Sequence, residues 1–286
     1  MARSDVQVVD YLDRSVILSQ PAQRVIALAP HIVENIFSAG AGDTLVGAVE
    51  YSDFPQQAQN IVRVGGVGSL SMEKIVSLSP DLVIIWASAA RGNMIQQLDL
   101  LNIPVYVDDP KKLADIARSI GDFGILTGRV QQSRKAVDNY LSELQRLRYR
   151  YRDRRVDDVT VLYEVWNNPL QTVNGQHIIS DVIELCGGKN VFDDALSLAP
   201  KINIEAVLDR DPNIIVTSSI VKSKQIWLDY WLQWPHLQAV RNGHLYFIDP
   251  NLIQRHTVRI LIGAERMCQQ IIKWESTMHF PILPNP

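Results

Sequence analysis

Residues 71–85 read SMEKIVSLSPDLVII, and residues 203–217 read NIEAVLDRDPNIIVT. In each, a Glu (Glu73, Glu205) is followed seven residues later by a Pro (Pro80, Pro212), then by Asp or Asn and an apolar run. Such a stretch predicts a short helix that carries an acid in its first turn, stops before the proline and leads into a buried strand. The two copies stand 132 residues apart, nearly half of the 286-residue chain. A unit repeated at that separation predicts two similar lobes, with one acidic side chain at an equivalent place on each.

Outward from the repeat, short apolar runs alternate with helix-period segments, the signature of α/β lobes built on parallel sheets. In the first half, strands are expected at 24–28, 45–49, 82–86 and 104–107, with helices at 33–39, 72–78 and 93–101. The opening segments 6–9 and 15–18, around Leu12-Asp13-Arg14, read as a hairpin laid on a sheet edge. In the second half, strands are expected at 159–164, 213–217 and 245–248. Helices are expected at 177–185, 204–210 and 258–274, before an irregular tail, FPILPNP. A chain of this length exceeds what one core comfortably serves.

Between the halves, residues 129–152 contain neither Pro nor Gly, and Val130, Val137, Leu141, Leu144 and Leu147 suggest one apolar stripe. A continuous connecting helix follows, which divides the chain into lobes at 1–125 and 154–286 around a backbone helix at 126–153. A helical connector resists bending, so only modest closure of the lobes is expected. The arginines at 146, 148, 150, 152, 154 and 155 scatter around that helix and suit a solvated C-terminal end.

Composition narrows the function. With 47% hydrophobic and 21% charged residues and a net charge of −3, the chain is not built to neutralise nucleic-acid phosphates. No apolar stretch reaches the roughly 20 residues of a membrane span. The start, MARSDVQVVDYLDRSV, lacks the apolar centre of a secretory signal, so the chain is either cytoplasmic or a form from which a signal has been removed. Cys186 and Cys268 read equally as a cross-link over 82 residues or as two buried thiols.

Enzyme signatures are absent from the sequence: no G-x-S-x-G, P-loop, H-E-x-x-H or C-x-x-C occurs. Gly40-Ala41-Gly42 and Gly65-Gly66-Val67-Gly68 read as turns, and the six histidines form no close pair in sequence. A binding crevice is better supported, because ligands of open parallel sheets lie beyond the carboxyl ends of the strands. Those ends offer His31, Glu50 to Asp53 with Tyr51, and Trp86 to Ser88 in the first half. In the second they offer Glu164, Trp166, Asn168, the 217–219 segment, Asp249, Asn251, Arg255 and His256. Three large aromatics among amides and hydroxyls suit a bulky, partly apolar ligand with peripheral polar groups. Trp227, Trp231 and Trp234 share a helical face and are expected to pack into the core. Glu73 and Glu205 alone would be acids favouring a helix dipole, but as a matched pair they can meet a two-fold partner bearing basic residues.

These residues resemble the periplasmic cobalamin-binding proteins of ABC importers, within a wider group of helical-backbone receptors for cobalamin, haem and ferric siderophores. The likeness runs from about residue 24 to 272 and rests on RVIALAPHIVENIFSAGAGDTLVGAVEYSDFP, SMEKIVSLSPDLVIIW, VIELCGGKNVF and RILIGAERMCQQI. It implies a helical-backbone periplasmic binding protein: a monomer, not an enzyme, with its signal removed and a corrinoid as cargo rather than as a cofactor. It implies that Tyr51 and Trp86 contact the corrin from one lobe and the Asn251–Arg255 loop from the other, with Trp166 and His31 as further candidates. It also implies a Cys186–Cys268 disulfide and docking of Glu73 and Glu205 onto arginines of a dimeric permease. The chain departs from the family where VGGVGSLS and Ala199 replace tryptophans and Asn251 replaces an acid. A haem or siderophore receptor on the same scaffold is the alternative, though no Tyr of the haem type stands at 64–71.

Overall fold

The structure, a computed structural model, describes residues 5–66, 69–89, 93–151, 159–218 and 224–279. The irregular tail, the arginines at 152, 154 and 155, and Ser219 lie outside the described residues. The chain divides into two compact units, Met1–Pro110 with Ala114–Ser142, and Lys111–Leu113 with Glu143–Pro286.

The first unit opens on the expected hairpin, β1 (Val6–Val9) against β2 (Ser15–Leu18). Then follow β3 (Val25–Ala27), α1 (Pro30–Ser38), β4 (Leu45–Ala48), β5 (Val62–Arg63), α2 (Met72–Ser77), β6 (Leu82–Trp86), α3 (Met94–Leu100) and β7 (Val105–Asp108). The sheet is parallel, in the order β5-β4-β3-β6-β7, so its connections reverse direction between β3 and β6. Ile26, Val83, Ile85, Val105 and Val107 meet Ile75 and Leu98 in one core on its helical face. The hairpin forms its own two-stranded sheet rather than extending this one. Buried Asp10 fastens its turn: the carboxylate accepts from the Leu12, Arg14 and Val107 amides, and the Arg14 guanidinium lies against it.

Two helices complete this part of the chain, α4 (Leu113–Leu126) and α5 (Val130–Tyr151). Sequence reading passed over α4, whose Gly121 and Gly124 look like breaks. A Cβ at Gly124 would collide with Ser133 of α5, so that glycine is the residue that admits the second helix. At 22 residues, α5 is about 33 Å long, as a rod of this kind requires. Its buried stripe is Ser133, Tyr140, Leu144, Leu147 and Tyr151, a corrected register in which Val130 and Leu141 face outward. The boundary between the two units falls inside this helix. Arg146 pairs with Glu143 one turn away, and Arg150 with Glu265.

The second unit contains β8 (Thr160–Glu164), the short hairpin β9 (Trp166–Asn167) and β10 (Leu170–Gln171), α6 (Ile178–Leu185), β11 (Lys189–Asn190), α7 (Ile204–Arg210), β12 (Ile214–Thr217), α8 (Lys224–Leu232), α9 (Gln238–Arg241), β13 (Leu245–Phe247), α10 (Pro250–Ile253) and α11 (Ile260–His279). Its parallel sheet runs β11-β8-β12-β13 and reverses direction between β8 and β12. Trp227 and Trp231 are fully buried on α8 against Leu162, Ile215 and Val207, as their spacing predicted. Cys186, which caps α6, is bonded to Cys268 of α11. Among the described residues no helix is long and apolar enough to cross a membrane.

The repeated stretch takes the same form in both units. Ser71 Oγ accepts from the Lys74 amide and Asn203 Oδ1 from the Ala206 amide, so each copy caps its helix at the same position. Ser79 and Asp211 both adopt left-handed φ, +46° and +39°, ahead of the proline. Asp81 then accepts from the Arg24 amide, and Asn213 from the Thr160 amide, which locks each new strand to its neighbour.

Candidate functional site

In a doubly wound sheet the strand ends flanking the reversal point are the natural ligand-facing positions. In the first unit these belong to β3 and β6. Trp86 is the last residue of β6 and is partly buried. His31 was expected in a loop after β3, but Pro30 suits the first helical position and draws it into the first turn of α1. There His31 is buried, its ring edge-on to Trp86 with centroids 5.2 Å apart. On its other side, His31 Nε2 lies 3.3 Å from Asp108 Oδ2, at the end of β7. Asp108 is fully buried, and its other oxygen accepts from Ser119 Oγ at 2.5 Å.

A serine, a histidine and an aspartate in one chain invite comparison with a hydrolase triad, but the order is wrong. Ser119 bonds to Asp108 rather than to His31, so the imidazole does not stand between hydroxyl and carboxylate as a triad requires, and the group is buried. What the arrangement does is hold the imidazole at right angles to the indole of Trp86. The aspartate was missed because strand ends were read for three strands of this half and not for the fourth. Extending the same rule to β7 would have found Asp108.

Tyr51 follows β4, on the other side of β3, and is 79% exposed. Its φ of +63° is a left-handed conformation that a bulky side chain adopts at a cost, and such strain collects where a side chain is presented for use. The Glu50 amide donates to the Gly65 carbonyl and fixes the segment just before it. Gly65, with φ of +118° and no room for a Cβ beside the Ser69 carbonyl, is the turn glycine that the sequence suggested. Ser52 is buried beneath this loop rather than presented by it.

In the second unit the reversal lies between β8 and β12. Trp166, just past the end of β8, is 48% exposed, and its Nε1 donates to the Asn168 carbonyl at 2.9 Å. Asn251 sits in α10 and its amide donates to Asp249 Oδ1, while Arg255 follows two residues after that helix. Gln254 Nε2 donates to Ser218 Oγ at 2.7 Å and ties this loop to the end of β12. Three other strand-end residues turn inward, a correction to their expected exposure: Glu164, Thr217 and Ser218 are all buried. Glu164 Oε2 accepts from both Trp227 Nε1 at 2.8 Å and Trp231 Nε1 at 2.7 Å. Burial raises its carboxyl above the usual range, and the two indole donors oppose that rise.

His256 is likewise buried, edge-on to His177 with centroids 5.9 Å apart, a pairing of residues 79 positions apart that spacing could not reveal. His177 Nδ1 accepts from the Ile179 amide and caps α6, and burial lowers its pKa to about 4. Among the described residues no three His, Cys, Asp or Glu side chains gather as metal ligands.

Glu73 and Glu205 are exposed in the first turns of α2 and α7. Glu205 borders a cavity of about 720 Å³ whose lining includes Asn167, Asn168, Asp229 and Tyr230. The Ile202 amide, three residues before Glu205, donates to the Leu170 carbonyl of the hairpin that carries Trp166.

Residues 25–252 match the family described as Periplasmic binding protein. Over 252 residues the chain is 32% identical to the Vitamin B12-binding protein of Vibrio parahaemolyticus, covering 88% of this chain and 90% of the relative. The periplasmic vitamin B12 binding protein BtuF of Vibrio cholerae has a similar solved structure, with a TM-score of 0.82, 32% identity and coverage of 89% and 98%. The periplasmic heme-binding protein RhuT of Roseiflexus shares the fold, with a TM-score of 0.78 at 20% identity, covering 88% and 99%.

Proposed function

This chain belongs to the periplasmic binding protein family, and we propose that it captures a corrinoid outside the cytoplasm and delivers it to an ABC import permease, without catalysing a reaction. The observation that carries the reading is the set of partly or largely exposed rings at the strand ends: Tyr51, Trp86 and Trp166. They occur in a chain similar over nine-tenths of its length to a protein that binds vitamin B12. Flat rings cover the apolar faces of a macrocycle, and the Asn251 amide and Arg255 guanidinium suit the amides at its rim.

His31 acts from behind Trp86, setting the angle of that ring. The Cys186–Cys268 bond suits an oxidising compartment, which supports a periplasmic location. Glu73 and Glu205 dock onto basic residues of the permease, and the protein works as a monomer with no resident cofactor.

Isothermal titration with cyanocobalamin tests the proposal. Saturable binding to one site is expected, and Tyr51→Ala and Trp86→Ala should each weaken it by about 1–2 kcal/mol, roughly 5- to 30-fold. Absence of saturation at high micromolar cyanocobalamin overturns the corrinoid reading. A Soret band in protein purified from rich medium would assign haem instead, and a charge-transfer band a ferric siderophore.

A further inference from the structure

The two copies of the repeated stretch can be compared with each other, position by position. Most of what they share has a reason inside each unit. Ser71 and Asn203 cap a helix, Ile75 and Val207 fill a core, and Asp81 and Asn213 fasten a strand. Other positions have diverged: exposed Lys74 stands opposite Ala206, which packs against its core, and exposed Ser77 stands opposite Asp209. Glu73 and Glu205 are exposed and identical, and the permease reading already uses them.

One further match has no internal reason. Three residues after each glutamate stands an apolar side chain, Val76 and Leu208, 41% and 36% exposed. Three residues along a helix is one neighbouring place on the same face, so each acid has a branched apolar group beside it. An exposed Val or Leu adds little to the core beneath it, and a single one needs no explanation. Two at equivalent places, each beside the retained acid on helices that otherwise differ outwardly, indicate a common demand from outside the chain.

We infer that Val76 and Leu208 form the apolar half of the permease docking surface, with Glu73 and Glu205 as its acidic half. The inference rests on the permease reading given above. The partner it fits offers, twice, a basic side chain beside an apolar one. The acidic half sets approach and register, and the apolar half holds the complex once water has left the contact.

The test uses the full chain and the purified corrinoid ABC permease of the organism that encodes it, reconstituted in nanodiscs. Val76→Ser with Leu208→Ser should weaken docking roughly 10- to 100-fold, because two apolar side chains lose their burial. Cyanocobalamin affinity should stay unchanged and the variant should remain folded with a small loss in thermal melting, since each side chain is more than a third exposed. Exchanging the residues, Val76→Leu with Leu208→Val, should retain docking. In a salt series the serine variant should keep the salt dependence of the parent, whereas Glu73→Ala with Glu205→Ala should lose most of it.

If the serine variant docks as well as the parent while the alanine variant does not, the inference falls and the acidic docking reading stands. If neither variant weakens docking, both fall. If the serine variant loses cyanocobalamin affinity, these residues are ligand contacts and the inference falls.

Discussion

Glu164→Leu removes the one acceptor that two buried indoles share. Glu164 Oε2 accepts from Trp227 Nε1 and Trp231 Nε1 at 2.8 and 2.7 Å, and all three side chains are buried. Leaving a buried donor without an acceptor costs about 1–3 kcal/mol, so the leucine variant should lose about 2–6 kcal/mol. Glu164→Gln is the informative contrast. Its carbonyl oxygen can occupy the place of Oε2 and keep both bonds, and its amide can face Thr217 Oγ1, which lies 3.5 Å from Glu164 Oε1. The glutamine variant should therefore stay within about 1 kcal/mol of the parent at neutral pH.

Proton linkage gives the pair a second signature. Burial raises the Glu164 carboxyl above its ordinary value of 4.5, so the folded chain holds the proton more tightly than the unfolded one. The associated stability is complete below pH 4.5 and is lost as pH rises through the folded pKa. Parent stability relative to Glu164→Gln should then fall as pH rises from 4.5 towards neutrality. Urea unfolding followed by far-UV circular dichroism at several pH values between 4.5 and 8 measures it. Cyanocobalamin affinity should be unchanged in the glutamine variant, since the carboxylate faces the core. A leucine variant losing less than 1 kcal/mol, or a glutamine variant binding tenfold more weakly, would refute this account of Glu164.

Two more outcomes follow from the second unit. The Cys186–Cys268 bond closes a loop of 82 residues, and replacing both cysteines by serine should lower stability by about 4–5 kcal/mol. Denaturation curves of that variant and of the reduced parent should agree, and a loss under 1 kcal/mol would mean that the bond adds little. His177, held by burial at a pKa of about 4 against 6.5 unfolded, contributes stability that is complete above pH 6.5 and lost as pH falls to about 4. The loss should reach about 3 kcal/mol in the parent. His177→Asn, which can still cap α6, should remove that slope, and an unchanged slope would clear His177 of the effect.

Local signals carried much of the fold into legibility. The hairpin strands, β6 and α7 were read to the residue, because two-residue alternation, a proline stop and an acid in the first turn are written within a few positions. Strands β5 and β9 to β11 are too short to show any period. Helix α4 was hidden because Gly124, a helix weakener by propensity, is needed for contact with Ser133 on another helix. The site divides on the same line. Exposed Tyr51 and Trp166 follow from the strand-end rule alone. The inward turn of Glu164 depends on indoles 63 and 67 residues away, and the anchoring of Asp10 depends on Val107, 97 residues away. A charged residue at a strand end looks solvated until its distant partner is known.

The repeat supplies a control that the rest of the sequence lacks. Its two copies fold alike but differ at many positions, so the residues they share can be sorted by whether each unit itself requires them. Caps, core positions and strand locks account for the buried and hydrogen-bonded matches. The matches left over are outward ones, Glu73 with Val76 and Glu205 with Leu208; a helix dipole favours the acids, but the exposed apolar side chains have no such duty within their own units. A demand made twice, on helices belonging to separate cores, is best met by one partner that presents the same surface twice, as a two-fold assembly does. Ligand capture needs no such match: Tyr51 lies in the loop three residues after β4, whereas Trp166 begins a hairpin, and the two have no counterpart relation in the repeat. On the docking and capture readings proposed above, the paired features would serve the partner and the unpaired ones an asymmetric ligand.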